Sequence, residues 1–262
     1  MRRLIVNADD LGRSRGVDLG IVAAHERGIV TAATLMANAP GAAHAAKLAR
    51  THRGLDVGVH LVLTYARPLS DPARVSSLVE RDGSFPRSPS AILGMDRVDA
   101  AEALVEYRAQ YVRATELLGT EPSHLDSHHW VHDEPALEWA IGELARETGA
   151  AVRQHDAAQR ERLRARGVRT PDSFCRAFQH GRNVEVPSLL KILERVAEGG
   201  SATTELMCHP GETDDAELLA TSSYARERPV ELATLTDPAV RSAIGRYGLT
   251  LATFRDLAPV GQ

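Results

Sequence analysis

The stretch Leu4-Ile-Val-Asn-Ala-Asp-Asp10 is an apolar run that ends in two adjacent acids. A short continuous apolar run is typical of a strand buried on both faces, as in parallel sheets. Gly12 allows a sharp turn after the acids, and Ser14 is suited to cap a helix predicted over residues 15–27. Strand, turn and helix in this order form a βα unit. The two acids should then lie at the carboxyl end of the strand, where α/β folds gather reactive groups.

The same alternation of strand-like and helix-like segments continues along the chain. It predicts an α/β fold in which helices connect the strands of a parallel sheet. The further strand candidates are residues 29–35, 55–63, 123–126, 151–153, 203–208 and 249–253. The further helix candidates are residues 41–50, 97–118, 135–148, 187–197, 214–220 and 238–246. We expect residues 1–262 to form a single domain with irregular insertions near residues 64–96 and 155–186.

The second insertion contains the basic run Gln159-Arg-Glu-Arg-Leu-Arg-Ala-Arg166. One interpretation is a surface patch that binds anions. The other is the solvated face of a helix, which is the more common origin of such a charge run. The sequence alone favours the solvated helix.

Composition narrows the class of protein. Hydrophobic residues make up 43% of the 262 residues, which is ample for a packed core. The net charge of −4 provides no positive field to hold nucleic acid. Cys175 and Cys208 are too few for a disulfide framework, and no apolar run approaches the roughly 20 residues that span a membrane. We therefore expect a cytoplasmic protein that binds neither nucleic acid nor a membrane.

Imidazole groups lie at three further strand candidates. His60 lies in the alternating run Val57-Gly-Val-His-Leu-Val-Leu63, and His209 precedes the turn residues Pro210-Gly211. The segment His124-Leu-Asp-Ser-His-His-Trp-Val-His132 holds four of the chain's 11 histidines. Because the carboxyl ends of parallel strands meet at one edge of the sheet, we expect these groups near the two acids. Acids and histidines gathered there suggest a metal site that carries out hydrolysis.

Each of these groups has more than one interpretation. Asp9 and Asp10 are either one metal ligand and one general base or a pair that caps the next helix. His60 is either a ligand or a satisfied core residue. On a helix, His128 and His132 would lie on one face and bind one metal ion together. In an irregular segment, one histidine would bind the metal and its neighbours would touch the ligands or the substrate.

Three other residues are candidates for supporting roles. Asp126 can orient an imidazole by accepting its free N–H. His209, at an exposed turn, suits a proton donor near neutral pH. Arg153 either pairs with Asp9 and keeps that carboxyl ionised, or forms a plain surface ion pair.

Together, these segments resemble the YdjC-like carbohydrate deacetylases, which include chitooligosaccharide deacetylase. Four separate motifs occur in the order of that family, and the likeness runs nearly end to end. The segments that carry it are Leu4–Gly12, Gly28–Thr31, Gly58–Thr64, Pro122–His129, Glu205–Pro210 and the tail near Tyr224 and Arg228–Leu235. Agreement in one motif would mean little, whereas agreement in four is specific.

The resemblance implies a fold, a cofactor and a set of site residues. The fold is a distorted (β/α) barrel of the TIM-barrel type, related to polysaccharide deacetylases. The cofactor is one divalent metal ion, zinc or magnesium, with cobalt or nickel as alternatives. The implied metal ligands are Asp10, His60 and His128. The implied catalytic residues are Asp9 as general base, His209 as general acid and Arg153, which orients the base.

The chain departs from some members of this family at Trp130, where they have histidine. The three implied ligands are intact, and an indole face suits the stacking of a sugar ring. We therefore expect Trp130, His132 and Asp126 to take part in substrate binding. His132 should lie close to the site but outside the ligand set.

The implied function is a metal-dependent hydrolase that removes an N-acetyl group from a small amino sugar or oligosaccharide, within carbohydrate metabolism. Two alternatives stay open: a metal-dependent hydrolase of another ester or a phosphoester, and a non-catalytic carbohydrate-binding protein. The few arginines in the motif regions argue against phosphoryl transfer, and a 4% share of aromatic residues argues against a binding cleft alone. The expected partner is a small carbohydrate substrate. The family also suggests a homodimer, on which the sequence itself is silent.

Overall fold

A parallel β-sheet is the centre of the fold in the computed structural model, which describes residues 2–93, 98–212 and 215–259. Its strands are β1 (Arg2–Leu11), β2 (Ala32–Leu35), β3 (Asp56–Leu61), β4 (His124–Ser127), β5 (Ala151–Val152), β6 (Ser173–Cys175), β7 (Thr203–Cys208) and β8 (Leu249–Ala252). The helices are α1 (Arg15–Arg27), α2 (Ala42–Thr51), α3 (Ala100–Leu118), α4 (Pro135–Thr148), α5 (Ala157–Ala165), α6 (Val186–Glu198), α7 (Ala216–Thr221), α8 (Arg228–Leu235) and α9 (Pro238–Arg246).

The sheet curves into a half-barrel around β1. The strand order is β5-β4-β3-β2-β1-β7-β6, and the pairs are parallel. β7 pairs with one side of β1, while β8 and β2 share the other side, beside Arg2–Ile5 and Asn7–Leu11 respectively. Among the described residues no ladder joins β5 to β6, so the barrel is open there. The predicted α/β fold, a distorted (β/α) barrel, is confirmed.

The first βα unit forms as the sequence predicts. β1 is buried from its third residue onward, and α1 has the predicted bounds. The side chain of Ser14 caps α1 by accepting a hydrogen bond from the backbone N–H of Val17. The sharp turn after β1 uses Asp10 as well as Gly12, because both have left-handed backbones with φ of 72° and 95°.

Most other predicted elements are present with small shifts. α4, β7 and α9 have the predicted bounds. Two predicted helix starts, Arg97 and Asp214, lie outside the described residues. The structure describes these helices, predicted over residues 97–118 and 214–220, from Ala100 and Ala216. Helix α8 has no counterpart among the predicted elements, although its sequence belongs to the tail that carries the family resemblance.

Residues 155–186 are more regular than expected. The expectation of an irregular insertion is wrong for α5 and β6, which lie inside this segment. Asp156 caps α5 by accepting a hydrogen bond from the backbone N–H of Gln159, and the buried Leu163 anchors the helix in the core. The arginines of α5 and its end form ion pairs with N–O distances of 2.6–2.9 Å: Arg160–Glu161, Arg162–Glu138, Arg164–Asp172 and Arg166–Glu143. The basic run is therefore an ion-paired helix face.

The other long connection keeps the irregular character that its prolines predict. Its described part, residues 64–93, contains two single-turn 3₁₀ helices, Pro72–Arg74 and Pro89–Ala91, while residues 94–96 lie outside the described ranges. Of the helices in the described ranges, none combines the length and apolar character needed to cross a membrane.

Side chains alternate along the strands between the surrounding helices and the barrel interior. On β1, Leu4 and Val6 belong to the main core, whereas Ile5 belongs to a separate apolar cluster. Asn7 and Asp9 continue the face of Ile5, because successive side chains of a strand point to opposite faces. The barrel interior therefore changes from apolar to polar toward the carboxyl ends of the strands.

Candidate active site

Three side chains converge at the carboxyl ends of β1, β3 and β4. Asp10 Oδ1 lies 3.3 Å from His60 Nε2 and 3.1 Å from His128 Nδ1, and the two imidazole nitrogens are 3.3 Å apart. Asp10 Oδ1 is buried and makes no hydrogen bond within the described ranges. An orphaned carboxylate oxygen that faces two imidazole nitrogens is a donor set typical of a divalent cation site. These residues therefore fit the metal that the sequence predicts.

The local backbone explains how two adjacent acids both reach this site. Neighbouring residues of a regular strand point to opposite faces. The left-handed backbone of Asp10, with φ of 72°, breaks this alternation after Asp9. Such a conformation is uncommon outside glycine but is tolerated by aspartate. Asp9 consequently stays on the interior face while Asp10 turns toward His60 and His128.

The segment after β4 is irregular, which decides between the two interpretations of its histidines. Residues His128–Asp133 form a kinked 3₁₀ segment in which His129 and Trp130 have φ of 59° and 56°. His128 faces Asp10, whereas His132 turns into the protein. His128 and His132 therefore do not lie together on one helix face as a pair of metal ligands.

Acidic side chains near the proposed cation site stabilise the protonated, positively charged form of His60. Burial alone would lower the pKa of His60, but the charge and hydrogen bond of Asp126 and the Asp10 carboxylate 3.3 Å away raise it to about 10. Asp126 Oδ1 lies 2.7 Å from His60 Nδ1 and orients the ring so that Nε2 faces Asp10. Burial would raise the pKa of Asp10, yet Arg228 and His128 hold it well below its usual range.

Asp9 is held as an ionised carboxylate. Arg153 Nη1 and Nη2 donate to its two oxygens, each at 2.7 Å, and Asn7 Nδ2 donates to Oδ1 at 2.9 Å. Burial raises the pKa of Asp9, but the charge and hydrogen bonds of Arg153 outweigh burial and lower it to about 2. The pairing of Arg153 with Asp9 is thus present, and it is buried rather than on the surface.

Arg153 is itself fixed by two other acids. Its Nε donates to Glu205 Oε1 at 2.6 Å, and its Nη1 lies 3.0 Å from Asp126 Oδ2. The side chains of all three are fully buried. Burial raises the pKa of Glu205 to about 7 despite the opposing charge of Arg153. The guanidinium therefore has little freedom to leave Asp9.

His209 completes the polar end of the barrel. It follows β7, and its Nε2 lies 3.9 Å from Asp9 Oδ2. Burial lowers the pKa of His209 to about 4, although the charges of Asp9 and Asp10 oppose the shift. The imidazole is therefore neutral near pH 7, rather than charged as a ready proton donor.

The residues predicted to bind substrate differ in their access to it. Trp130 is partly exposed, and the guanidinium carbon of Arg176 lies 4.9 Å from its ring centre. His132 is fully buried, with Nδ1 against Ser127 Oγ and Nε2 3.1 Å from the carbonyl oxygen of Arg153. Asp126 is also fully buried. The placement of Asp126 and His132 fits support of His60 and Arg153 better than the substrate contacts that we expected.

Sequence reasoning gave no role to a group of residues around α8. Glu231 Oε2 accepts a hydrogen bond from the backbone N–H of His209 at 2.5 Å, and Oε1 accepts one from the Tyr224 hydroxyl. Burial raises the pKa of Glu231 to about 8. Arg228, one turn before Glu231, donates from Nη2 to Asp10 Oδ2. The resemblance includes both residues, but only the packing of α8 shows what they contact.

Comparison with known proteins decides the family. A family model described as YdjC-like protein matches residues 3–246. The chain belongs to the YdjC-like family. A carbohydrate deacetylase of Geobacillus stearothermophilus is 39% identical over 255 residues, which cover 97% of this chain and 98% of the relative. A chitooligosaccharide deacetylase of Serratia marcescens is 36% identical over 260 residues, with coverage of 97% and 98%.

Solved structures share the fold of this YdjC-like protein. The crystal structure of a protein from Enterococcus faecalis V583 has a TM-score of 0.89 at 31% identity and covers 97% of this chain and 98% of its own. A family 4 carbohydrate esterase from Streptomyces lividans, solved with acetate, has a TM-score of 0.50 at 13% identity, with coverage of 100% and 98%. The second likeness concerns the fold alone.

Proposed function

We propose that this YdjC-like protein is a metal-dependent deacetylase that removes an N-acetyl group from a small amino sugar or oligosaccharide. The convergence of Asp10 Oδ1, His60 Nε2 and His128 Nδ1 beside the ionised Asp9 carries the proposal. Two relatives of nearly equal length, named carbohydrate deacetylase and chitooligosaccharide deacetylase, support the class of substrate.

Each residue of the polar end has a proposed role. Asp10, His60 and His128 hold the metal, which polarises water and lowers its pKa when bound. Asp9 accepts the proton of the attacking water, because Arg153 keeps it ionised near pH 7. Arg153 also fixes the direction in which the Asp9 oxygens point.

His209 delivers a proton to the departing amine. Because burial keeps the imidazole neutral near pH 7, this proton must be acquired during the reaction. Asp9 Oδ2 lies 3.9 Å from His209 Nε2 and is a suitable source after it has taken the proton of water. One proton thus travels from water through Asp9 and His209 to the amine, and neither side chain ends in a changed state.

Several further features are part of the proposal. Two imidazoles and one carboxylate suit zinc, while magnesium, cobalt and nickel are the alternatives. Trp130 and Arg176 form a partly exposed wall, and the indole is the proposed platform for a sugar ring. The protein is proposed to be cytoplasmic, to form one domain over residues 1–262 and to assemble as a homodimer.

The test is acetate release from a panel of N-acetylated sugars by metal-supplemented protein. We expect D9N and H209A to lose roughly 10²–10⁴-fold in rate while they keep the bound metal, because each removes a proton-transfer group. The variant H52A changes a histidine near the surface that pairs with Glu26, and it should retain the wild-type rate. Near-wild-type rates of D9N and H209A with metal bound would contradict the proposed roles.

The same panel separates the competing functions. Hydrolysis of phosphoesters in preference to acetylated sugars would favour the alternative hydrolase. Sugar binding without metal binding or hydrolysis would favour a carbohydrate-binding protein. Acetate release that depends on added metal supports the deacetylase.

A further inference from the structure

Arg228 contacts a proposed metal ligand, Asp10, through the carboxylate oxygen that does not face the two imidazoles. Its Nη2 donates to Asp10 Oδ2, whereas Asp10 Oδ1 faces His60 and His128. The two oxygens of one carboxylate are therefore divided between a guanidinium and the proposed cation site. Only 3% of the Arg228 surface is exposed.

The position of Arg228 is fixed by its surroundings. Nε donates to the carbonyl oxygen of Tyr224 at 2.9 Å, and the backbone N–H of Gly211 donates to the carbonyl oxygen of Arg228 at 3.2 Å. A Cβ at Gly211 would come within 3.1 Å of Arg228 Cβ and 3.3 Å of its Cδ, so the absent side chain leaves room for the arginine stem. Arg228 can therefore hold Asp10 Oδ2 without rearrangement of its own.

We propose that Arg228 restricts Asp10 to one metal-binding oxygen and weakens the hold of the site on its cation. This inference rests on the proposed metal-dependent function. With Asp10 Oδ2 occupied, Asp10 supplies a single oxygen, which leaves coordination positions for water and substrate, as catalytic metal sites require. Arg228 is thus a positioning residue that acts through Asp10.

The sign of the effect on metal affinity distinguishes this role from an ordinary supporting contact. A neutral hydrogen bond to a ligand usually strengthens metal binding, by orienting the ligand. A buried guanidinium adds a positive charge next to the cation, and like charges repel strongly where water is excluded. Removal of the charge of Arg228 should therefore tighten metal binding, whereas loss of a merely structural contact would weaken it.

The test compares the Kd for Zn²⁺ of the wild type, R228Q and R228K by calorimetry or competition with a chelator. Glutamine keeps an N–H donor without the charge, and we expect R228Q to bind at least about 10-fold more tightly than the wild type. Lysine keeps the charge, and R228K should stay within about 3-fold of the wild type. Weaker or unchanged binding by R228Q, or equal tightening in R228K, overturns the inference.

A second measurement uses the wild type and so does not depend on the folding of a variant. In a crystal structure of the Zn²⁺-loaded wild type, Asp10 Oδ1 should coordinate the ion while Oδ2 remains bonded to Arg228. Coordination by both oxygens of Asp10 overturns the inference. A wild type that binds none of Zn²⁺, Mg²⁺, Co²⁺ and Ni²⁺ overturns the proposed metal site as well, so the two failures are distinguishable.

Discussion

The two ends of the barrel interior are built by the same strands from opposite kinds of side chain. Toward the amino ends of β1, β2 and β5 lies an apolar cluster composed of Ile5, Ala32 and Ala151 together with Ala252, Phe254 and Leu257, which come from the end of β8 and the segment after it. Two residues after Ile5 and Ala151, the same faces carry Asn7 on β1 and Arg153 just beyond the end of β5. The apolar end is stabilised by burial alone, whereas each charge at the polar end needs a partner. We therefore infer that the apolar end stabilises the fold and that the polar end carries the chemistry.

His124 forms the boundary between the two ends. Its ring stacks on Phe254, with centroids 3.6 Å apart and planes inclined by 8°. Its Nε2 lies 3.0 Å from Asn7 Oδ1, and its Nδ1 lies 2.8 Å from Ser123 Oγ. Burial and the charge of Arg153 hold the pKa of His124 well below its usual range. A neutral imidazole therefore separates the apolar cluster from the charged network.

Removal of Arg153 should be the most damaging single change at the polar end. R153M leaves the carboxylates of Asp9, Asp126 and Glu205 without their shared cation. Breaking a buried ion pair by removing one partner costs about 3–5 kcal/mol, so we expect a loss of unfolding free energy of that size. Urea denaturation of the metal-free protein measures it.

An exposed ion pair between helices provides the matched control for R153M. Arg108 and Glu147 link α3 and α4, with side chains 48% and 39% exposed. R108M should cost less than about 1 kcal/mol, because solvent screens such pairs. A similar cost for R153M and R108M would show that the buried network contributes no more than a surface contact.

The second prediction concerns the pH dependence of the polar end. Burial lowers the pKa of His209 from 6.5 to about 4. Between these two pH values, the unfolded chain therefore binds a proton at His209 that the native protein does not bind. The contribution of His209 is complete above pH 6.5 and is lost as the pH falls toward about 4. Between about pH 7 and pH 4, the wild type should lose about 3 kcal/mol more than H209Q, in urea titrations of both proteins.

The comparison with H209Q isolates one imidazole from the many acids of the site. Glutamine is similar in size but does not titrate, so the difference between the two proteins reports the histidine alone. H52Q makes the same exchange at a histidine outside the site, which contacts Glu26, and controls for the substitution itself. Parallel curves for wild type and H209Q would contradict a neutral His209 in the native protein.

The sequence predicts the strand-end residues of the polar end because their position follows from local pattern. Asp9, His60 and His209 each lie at or after a strand candidate, and parallel strands bring their carboxyl ends to one edge. The family resemblance adds the choice of His128 over its neighbours. The backbone then shows why that choice is possible, since the segment is kinked rather than helical.

Contacts between remote residues escape the same reasoning. Arg228 meets Asp10 across 218 residues, and no period or turn signal relates the two. Glu205 reads as one polar residue of a buried strand until Arg153 is placed beside it. In each case the informative feature is a charged residue that tertiary packing buries. A single sequence does not show tertiary packing.

The smallest effect is expected at the apolar end. I5V removes one methylene group from the fully buried Ile5 of the cluster around Phe254, and such a change typically costs about 0.5–1.5 kcal/mol. The adjacent strand β8 supplies the control, since L251V changes a side chain that is 37% exposed and should stay within about 0.5 kcal/mol of the wild type. Because the boundary formed by His124 separates this cluster from the charged network, kcat for acetate release should be unchanged in I5V. A fall in kcat that exceeds the decrease in the fraction of folded protein would show that the two ends are coupled. The apolar cluster would then position Asn7 and Asp9 as well as stabilise the barrel.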